Sequence, residues 1–146
     1  MKYIETFSYK IHALTYTIDA LATAVLKNNS DLNFPQFLIL LCFIENQGQT
    51  QKFASEWLQL TEATVSYMIK RMVKEGHLRV DLNPNDKRNK KIYATRKGVK
   101  AINHIYPLLE AALAKHLQQV SSSQIDHMIK DMDIIKKSII QDVKKR

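Results

Sequence analysis

Ala63, Thr64, Ser66 and Tyr67 are followed closely by Lys70, Arg71 and Lys74, and Lys87, Arg88, Lys90 and Lys91 come soon after. These side chains suit a polyanion. Lysine and arginine neutralise phosphates. Hydroxyls and small apolar groups read base edges, with Ala63 and the Thr64 methyl suited to a thymine methyl. Of the 22 Lys and Arg residues, 12 lie in residues 50–100 against 5 Asp and Glu, so this third carries net +7 of a total of +8. Residues 1–49 carry net −1 and residues 101–146 net +2. A basic block inside a folded region is the electrostatic footprint of a nucleic-acid partner.

Catalytic chemistry finds no frame in this sequence. It has no Gly-rich phosphate loop, no nucleophile elbow and no paired carboxylates at a usable spacing, so we expect no enzyme. The single cysteine, Cys42, excludes an internal disulfide framework and a Cys-rich zinc site. The five histidines, His12, His77, His104, His116 and His127, form no HExxH or Cys/His ligand set. We expect no metal and no cofactor. No run of about 18 apolar residues exists, so no membrane span is expected. The start, Met1-Lys2-Tyr3-Ile4-Glu5, lacks the apolar stretch of a signal peptide, and a cytoplasmic location follows as an expectation.

The elements that must position the basic residues follow from periodicity. Apolar residues make up 45% of the chain, enough for a core, while Gly and Pro number 3 each, too few for a turn-rich sandwich or barrel. Ile4, Phe7, Ile11, Leu14, Ile18, Leu21 and Val25 alternate steps of three and four, the seam of a helix that packs along its length. Asn28-Asn29-Ser30-Asp31 should break it. Asn33 with Gln36 and Pro35 announces a second helix, apolar almost all round through Ile44 and therefore buried. Thr50 should cap a short helix over 51–58, and Thr61 a second over 62–75, stopped by Gly76. Two short helices joined by Gln59-Leu60-Thr61 make a helix-turn-helix.

In the second of these, Val65, Met68, Ile69 and Met72 form the inward face. Ala63, Thr64, Ser66, Tyr67, Lys70, Arg71 and Lys74 are left outward. A helix about 10–12 Å across fits the major groove of DNA. Past Gly76 the period changes to two: Leu78, Val80 and Leu82 share one face of a strand. Asn83-Pro84-Asn85-Asp86 makes a turn, and 90–94 a return strand with Ile92 and Ala94 inward, the tip carrying Lys87, Arg88, Lys90 and Lys91. Thr95 caps a long helix with an apolar face from Val99 to Val120 and a kink expected at Pro107. Ser121 with Gln124 starts a last helix bearing Ile125, Met128, Met132, Ile135, Ile139 and Val143.

Helix, helix, helix-turn-helix, basic hairpin, helix, helix is the order of a winged helix. Asn33-Phe34-Pro35-Gln36-Phe37, Thr61-Glu62-Ala63-Thr64-Val65-Ser66, Lys74-Glu75-Gly76-His77-Leu78, Asp86-Lys87-Arg88 and Thr95-Arg96-Lys97-Gly98 together resemble the MarR family of bacterial transcription regulators. The resemblance covers about 33–100 by motif and the flanking helices by pattern. It implies a fold that is mostly α with a small β-hairpin, in which 31–98 form a winged helix-turn-helix DNA-binding lobe and 1–30 and 99–146 form dimerisation helices. It implies that Arg88 enters a minor groove while Asp86 orients it and Lys87, Lys90 and Lys91 hold phosphates. It further implies a small aromatic ligand bound near the dimer helices, for which His12, Tyr16 and His116 are the candidate lining. Some family members sense oxidants through a cysteine near the start of the first helix, and no cysteine lies there in this chain.

The terminal apolar stripes give the dimer a physical reason as well. Ile4, Phe7, Ile11, Leu14, Ile18 and Leu21 at one end and Ile135 and Ile139 at the other exceed what a small core can cover, and a two-fold dimer is the simplest closed solution. It would present two recognition helices to a palindromic operator in double-stranded DNA. The reading is a homodimeric, sequence-specific regulator, a repressor relieved by a small ligand. Two alternatives stay open: a winged-helix module for protein–protein assembly, and a redox or metal switch, with Cys42 the thiol, on the same scaffold.

Overall fold

The computed structural model describes residues 2–83 and 86–145, with the side chains of all but 83 and 86–89 among them. A 3-10 turn at Tyr3–Glu5 leads into α1, Phe7–Asn29, which Thr6 caps through the Tyr9 N–H. Then come α2 (Phe34–Glu45), α3 (Gln51–Leu58), α4 (Glu62–Lys74), the antiparallel strands β1 (Leu78–Asn83) and β2 (Asp86–Ala94), α5 (Arg96–Ala114) and α6 (Ser122–Val143). Among the described residues no helix is long and apolar enough to cross a membrane. The chain divides into two compact units, Met1–Ala111 and Ala112–Arg146.

The first unit is organised around α2. Asn33 accepts from the Gln36 N–H at 2.9 Å while the Gln36 side chain accepts from the Asn33 N–H at 3.0 Å, so the capping box read from sequence forms. Phe37, Ile39, Leu40, Cys42 and Phe43 of this helix are buried, joined in one core by Leu26, Ala54, Val65, Ile69, Met72, Leu78, Ile92, Ile102 and Ile105. Each such aliphatic side chain contributes roughly 1.5–3 kcal/mol when fully buried.

Several sequence expectations shift. Ile4 lies in the 3-10 turn, outside α1. The residues that α1 buries are Ala22 and Leu26, one position on from the seam at Leu21 and Val25. In β1, Leu78 is buried and Val80 half-buried, yet Leu82 is 60% exposed, because the ribbon has left the body by then. The helix expected to reach Val120 ends at Ala114. Beyond it the backbone tightens into i→i−3 bonds, from the His116 N–H to the Leu113 carbonyl and from the Leu117 N–H to the Ala114 carbonyl, so Leu117 and Val120 lie outside any helix. α5 runs on through Pro107.

The second unit holds the end of α5, these turns and α6. Ser121 and Gln124 form the expected capping box. α6 buries none of its side chains.

Candidate nucleic-acid interface

The helix-turn-helix is built from caps. Thr50 accepts from the Phe53 N–H and Thr61 from the Thr64 N–H, both at 3.2 Å. The turn between α3 and α4 has no glycine, and Gln59 takes the left-handed conformation there (φ 56°). Gln51 Nε2 donates to the Glu62 carbonyl at 3.2 Å and fastens the start of α3 to the start of α4. α4 ends one residue earlier than expected, at Lys74 with Glu75 as its cap. The His77 N–H then reaches back to the Met72 carbonyl and the Gly76 N–H to the Val73 carbonyl, with Gly76 at φ 79°.

α4 presents the two faces its spacing demands. Val65, Ile69 and Met72 are buried and Met68 is half-buried. Ala63, Thr64, Lys70, Arg71 and Lys74 are exposed, and Tyr67 is 69% exposed. Ser66 is half-buried and faces β2 across a cavity. Two of these residues already have partners. Thr64 Oγ1 lies 2.8 Å from Thr61 Oγ1. Arg71 Nε donates to Glu75 at 2.7 Å, an ion pair that raises its pKa through the hydrogen bond and the charge. Glu75 in turn accepts from Gln36 at 3.4 Å, and its carbonyl accepts from Lys97 Nζ at 2.7 Å. Arg71 of α4 is thereby tied through Glu75 to Gln36 at the start of α2.

The wing pairs Leu78 with Ala94, Val80 with Ile92 and Asp81 with Lys91, with an irregularity between Asp81 and Asn83. β2 starts at Asp86, so Lys90 and Lys91 lie on the strand and, by the period of two, on opposite faces of the ribbon. Lys90 is exposed and shares the face of Ile92, toward α4, while Lys91 is half-buried on the other face. That second face also carries Arg79, stacked 4.3 Å over the Tyr93 ring and paired with Asp81. The side chains of Asp86, Lys87 and Arg88, expected to orient and fill a minor-groove contact, lie outside the described residues.

The base of the wing is fixed from two sides. The Gly48 N–H donates to the Ile92 carbonyl and the Ile92 N–H to the Gln49 carbonyl, both at 3.0 Å, so the loop before α3 pairs with β2. The Gln47 side chain accepts from the Ala94 N–H at 3.1 Å. On the exit side, the Thr95 hydroxyl donates to the Gly76 carbonyl at 2.7 Å and accepts from the Gly98 N–H at 3.1 Å. A β-carbon on Gly98 would collide with the His77 carbonyl, which explains the Thr95-x-x-Gly98 spacing.

The remaining candidates are scattered. His12 and Tyr16 are exposed on α1, and His116 is exposed in the turn after α5. Cys42 is buried in α2, and burial pushes its thiol up to about 11, which suppresses the thiolate that oxidant sensing needs. Among the described residues no three His, Cys, Asp or Glu side chains group as a metal site. His77 is also buried. Its Nδ1 finds no hydrogen-bond partner among the described residues, and burial, with Lys97 nearby, lowers its pKa.

Sequence reading missed Thr50, Gln51 and Lys52. They line the cavity of about 780 Å³ that Ser66, Lys70 and Lys90 also line. Lys52 belongs to the basic third of the chain, but only the tertiary fold brings it to Lys70 and Lys90.

Residues 32–90 match the model of the MarR family. The transcriptional regulator TtmR of Methylorubrum extorquens is 34% identical over 68 residues, which are 47% of this chain and 35% of that protein, so the match spans about a third of the relative's length. A SlyA-like transcription regulator from Listeria monocytogenes superposes with a TM-score of 0.84 at 26% identity, over 97% of this chain and 95% of that one. MepR of S. aureus, solved as a complex with DNA, superposes with a TM-score of 0.78 at 21% identity, over 91% and 98% of the two chains. Residues 32–90 thus match the MarR family of transcription regulators, and the chain shares the winged-helix fold of the SlyA-like regulator.

Proposed function

We propose that this protein is a homodimeric, sequence-specific double-stranded DNA-binding regulator, a repressor relieved by a small aromatic ligand. The observation that carries the reading is the division of α4. One face is locked into the core by Val65, Ile69 and Met72, and the other offers Ala63, Thr64, Tyr67, Lys70 and Lys74 to solvent beside a basic ribbon. A rigid helix with hydroxyl, aromatic and cationic groups on its outer face suits a major groove. Arg88, on the adjoining wing, is the residue type for a narrow minor groove, with Asp86 as its orienter and Lys87, Lys90 and Lys91 on nearby phosphates. MepR, with the same fold, was solved with DNA.

Residues 31–98 serve as the DNA-binding lobe and 1–30 and 99–146 as the dimerisation helices. Uncovered apolar side chains support this division. Phe7 and Leu14 of α1 are 65% and 60% exposed, and Ile139 of α6 is 57% exposed. A two-fold dimer would place two α4 helices on a palindromic operator. The ligand is carried by the family resemblance, with His12, Tyr16 and His116 as its candidate contacts. A protein bound to chromosomal DNA works in the cytoplasm of a bacterium, and the relatives' names as regulators support a non-enzymatic role.

Selection of bound sequences from a random duplex pool, then titration at two salt concentrations, tests the proposal. We expect a palindromic site, steep weakening with salt, and at least about tenfold weaker binding for Arg88→Ala at an unchanged oligomeric state. A protein that binds no duplex at low salt is not a DNA-binding regulator, and the assembly-module reading then takes its place.

A further inference from the structure

The joint where α4 ends holds a buried group that the groove-reading surface does not use. His77 lies between α4 and β1, is 6% exposed, and its Nδ1 has no hydrogen-bond partner among the described residues. An unpaired polar atom in the interior costs stability, and a hydrocarbon side chain there would not. The backbone of the same residue is pinned on both sides. Its N–H donates to the Met72 carbonyl at 2.9 Å. Its carbonyl accepts from the Thr95 N–H at 3.0 Å and from the Thr95 hydroxyl at 3.1 Å. His77 thus mounts α4 and β1 on the residue that precedes α5. A second tie runs close by. Glu75 accepts from Arg71 of α4 at 2.7 Å and from Gln36 of α2 at 3.4 Å, and its carbonyl accepts from Lys97 of α5 at 2.7 Å. Burial, and then Lys97, hold the His77 ring neutral, while Glu75 after α4 and Asp31 before α2 act in the opposite direction.

We propose that His77 is a proton switch: neutral, it mounts α4 and the wing on α5, and on protonation it undoes that mounting and weakens the hold on DNA. An imidazolium carries hydrogen on both ring nitrogens. Nδ1 then has a hydrogen to donate, no acceptor in place and Lys97 nearby. Two responses relieve this. The ring draws in Glu75, which then gives up Arg71 and Gln36. Or the ring leaves for water and pulls on the backbone that Met72 and Thr95 pin. Each response loosens α4 and the wing from α2 and α5. The inference rests on the DNA-binding reading above and adds a regulator to it, the proton. Its sign sets it apart. Protonating exposed histidines adds positive charge and favours a polyanion, so a basic protein without the switch binds duplex more tightly in acid.

The test uses the full chain and a duplex recovered from the random pool, titrated between pH 7 and pH 5 at one salt concentration. Wild-type affinity should fall at least about fivefold, because the loss approaches about tenfold per pH unit below the pKa of a group that must stay neutral. The fall should reverse on return to pH 7, with the helical circular dichroism unchanged throughout. His77→Gln should lose this dependence or bind more tightly in acid. His104→Gln, exposed on α5, should keep it. Should His77→Gln fail to fold, the wild type decides: the His77 ring signals, followed by NMR, should titrate with the same midpoint as the affinity. Wild-type affinity that holds or rises at pH 5 overturns the switch. So does a fall that persists in His77→Gln, that follows a different midpoint, or that comes with lost helix. Each of these leaves the DNA-binding reading standing. A wild type that binds no duplex at pH 7 ends that reading and the switch with it.

Discussion

α4 and α6 are both amphipathic and both start at a hydroxyl cap, yet they end in opposite conditions. α4 buries Val65, Ile69 and Met72 in its own chain's core. α6 buries nothing, and Met128, Met132, Ile139 and Val143 all stand exposed. Helical periodicity records that a face must be covered, and it is silent on whether the cover comes from the same chain. Under the proposed function the two helices have different work. A recognition helix must be rigid, so its apolar face is satisfied before any partner arrives. An assembly helix keeps its apolar face open for a partner.

The largest effect should come from the open faces. Leu14→Glu with Leu21→Glu on α1, or Ile139→Glu on α6, should give monomers by sedimentation velocity. Duplex affinity should fall about 10²–10⁴-fold as the second half-site contact is lost. Unchanged sedimentation would remove the contrast between the helices. Next comes the interior of each helix. Ile69→Ala should cost about 2–5 kcal/mol in urea unfolding. Ile139→Ala, measured on protein dilute enough to be monomeric, should stay within roughly 0.5 kcal/mol of wild type. Similar losses at the two sites would mean that α6 is packed within its own chain.

The smallest effect lies where α4 ends. The pKa of His77 is lowered in the fold by burial and by Lys97, with Glu75 and Asp31 acting weakly in the other direction. The unfolded chain therefore takes up this proton at a higher pH than the folded one. The stability that His77 contributes is complete above its ordinary value near 6.5 and is lost as pH falls below it. Melting temperature should drop between pH 7 and 5, and His77→Gln should flatten that slope. An equal slope in the variant would show that other groups set it.

Much of this arrangement is written locally. The Asn33–Gln36 box, the Thr50 and Thr61 caps, Gly76 after α4 and the Ser121–Gln124 box all appear where short-range chemistry requires them. The outer face of α4 is equally legible, because Val65, Ile69 and Met72 leave only one way to orient the helix. Long-range facts are not legible. Leu82 keeps the strand alternation after the ribbon has left the core that gave alternation its meaning. Leu117 and Val120 keep helical spacing past the point where the helix has ended. Gln59 occupies a left-handed turn position that glycine usually marks, so the turn gives no signal at that residue. Lys52 joins Lys70 and Lys90 only through the packing of α3, α4 and β2.

The pairing of Gln49 with Ile92 has a mechanical result. The strip of backbone that leads into the first helix of the reading motif is laced to the ribbon, and Gln51 laces that helix to the second. Helix and tongue are thus clamped at a set separation and must swing as one piece. Under the proposed function, an effector would act by re-aiming each whole head relative to its twin, changing the stride between two footholds on the duplex while the grip of each foot keeps its shape.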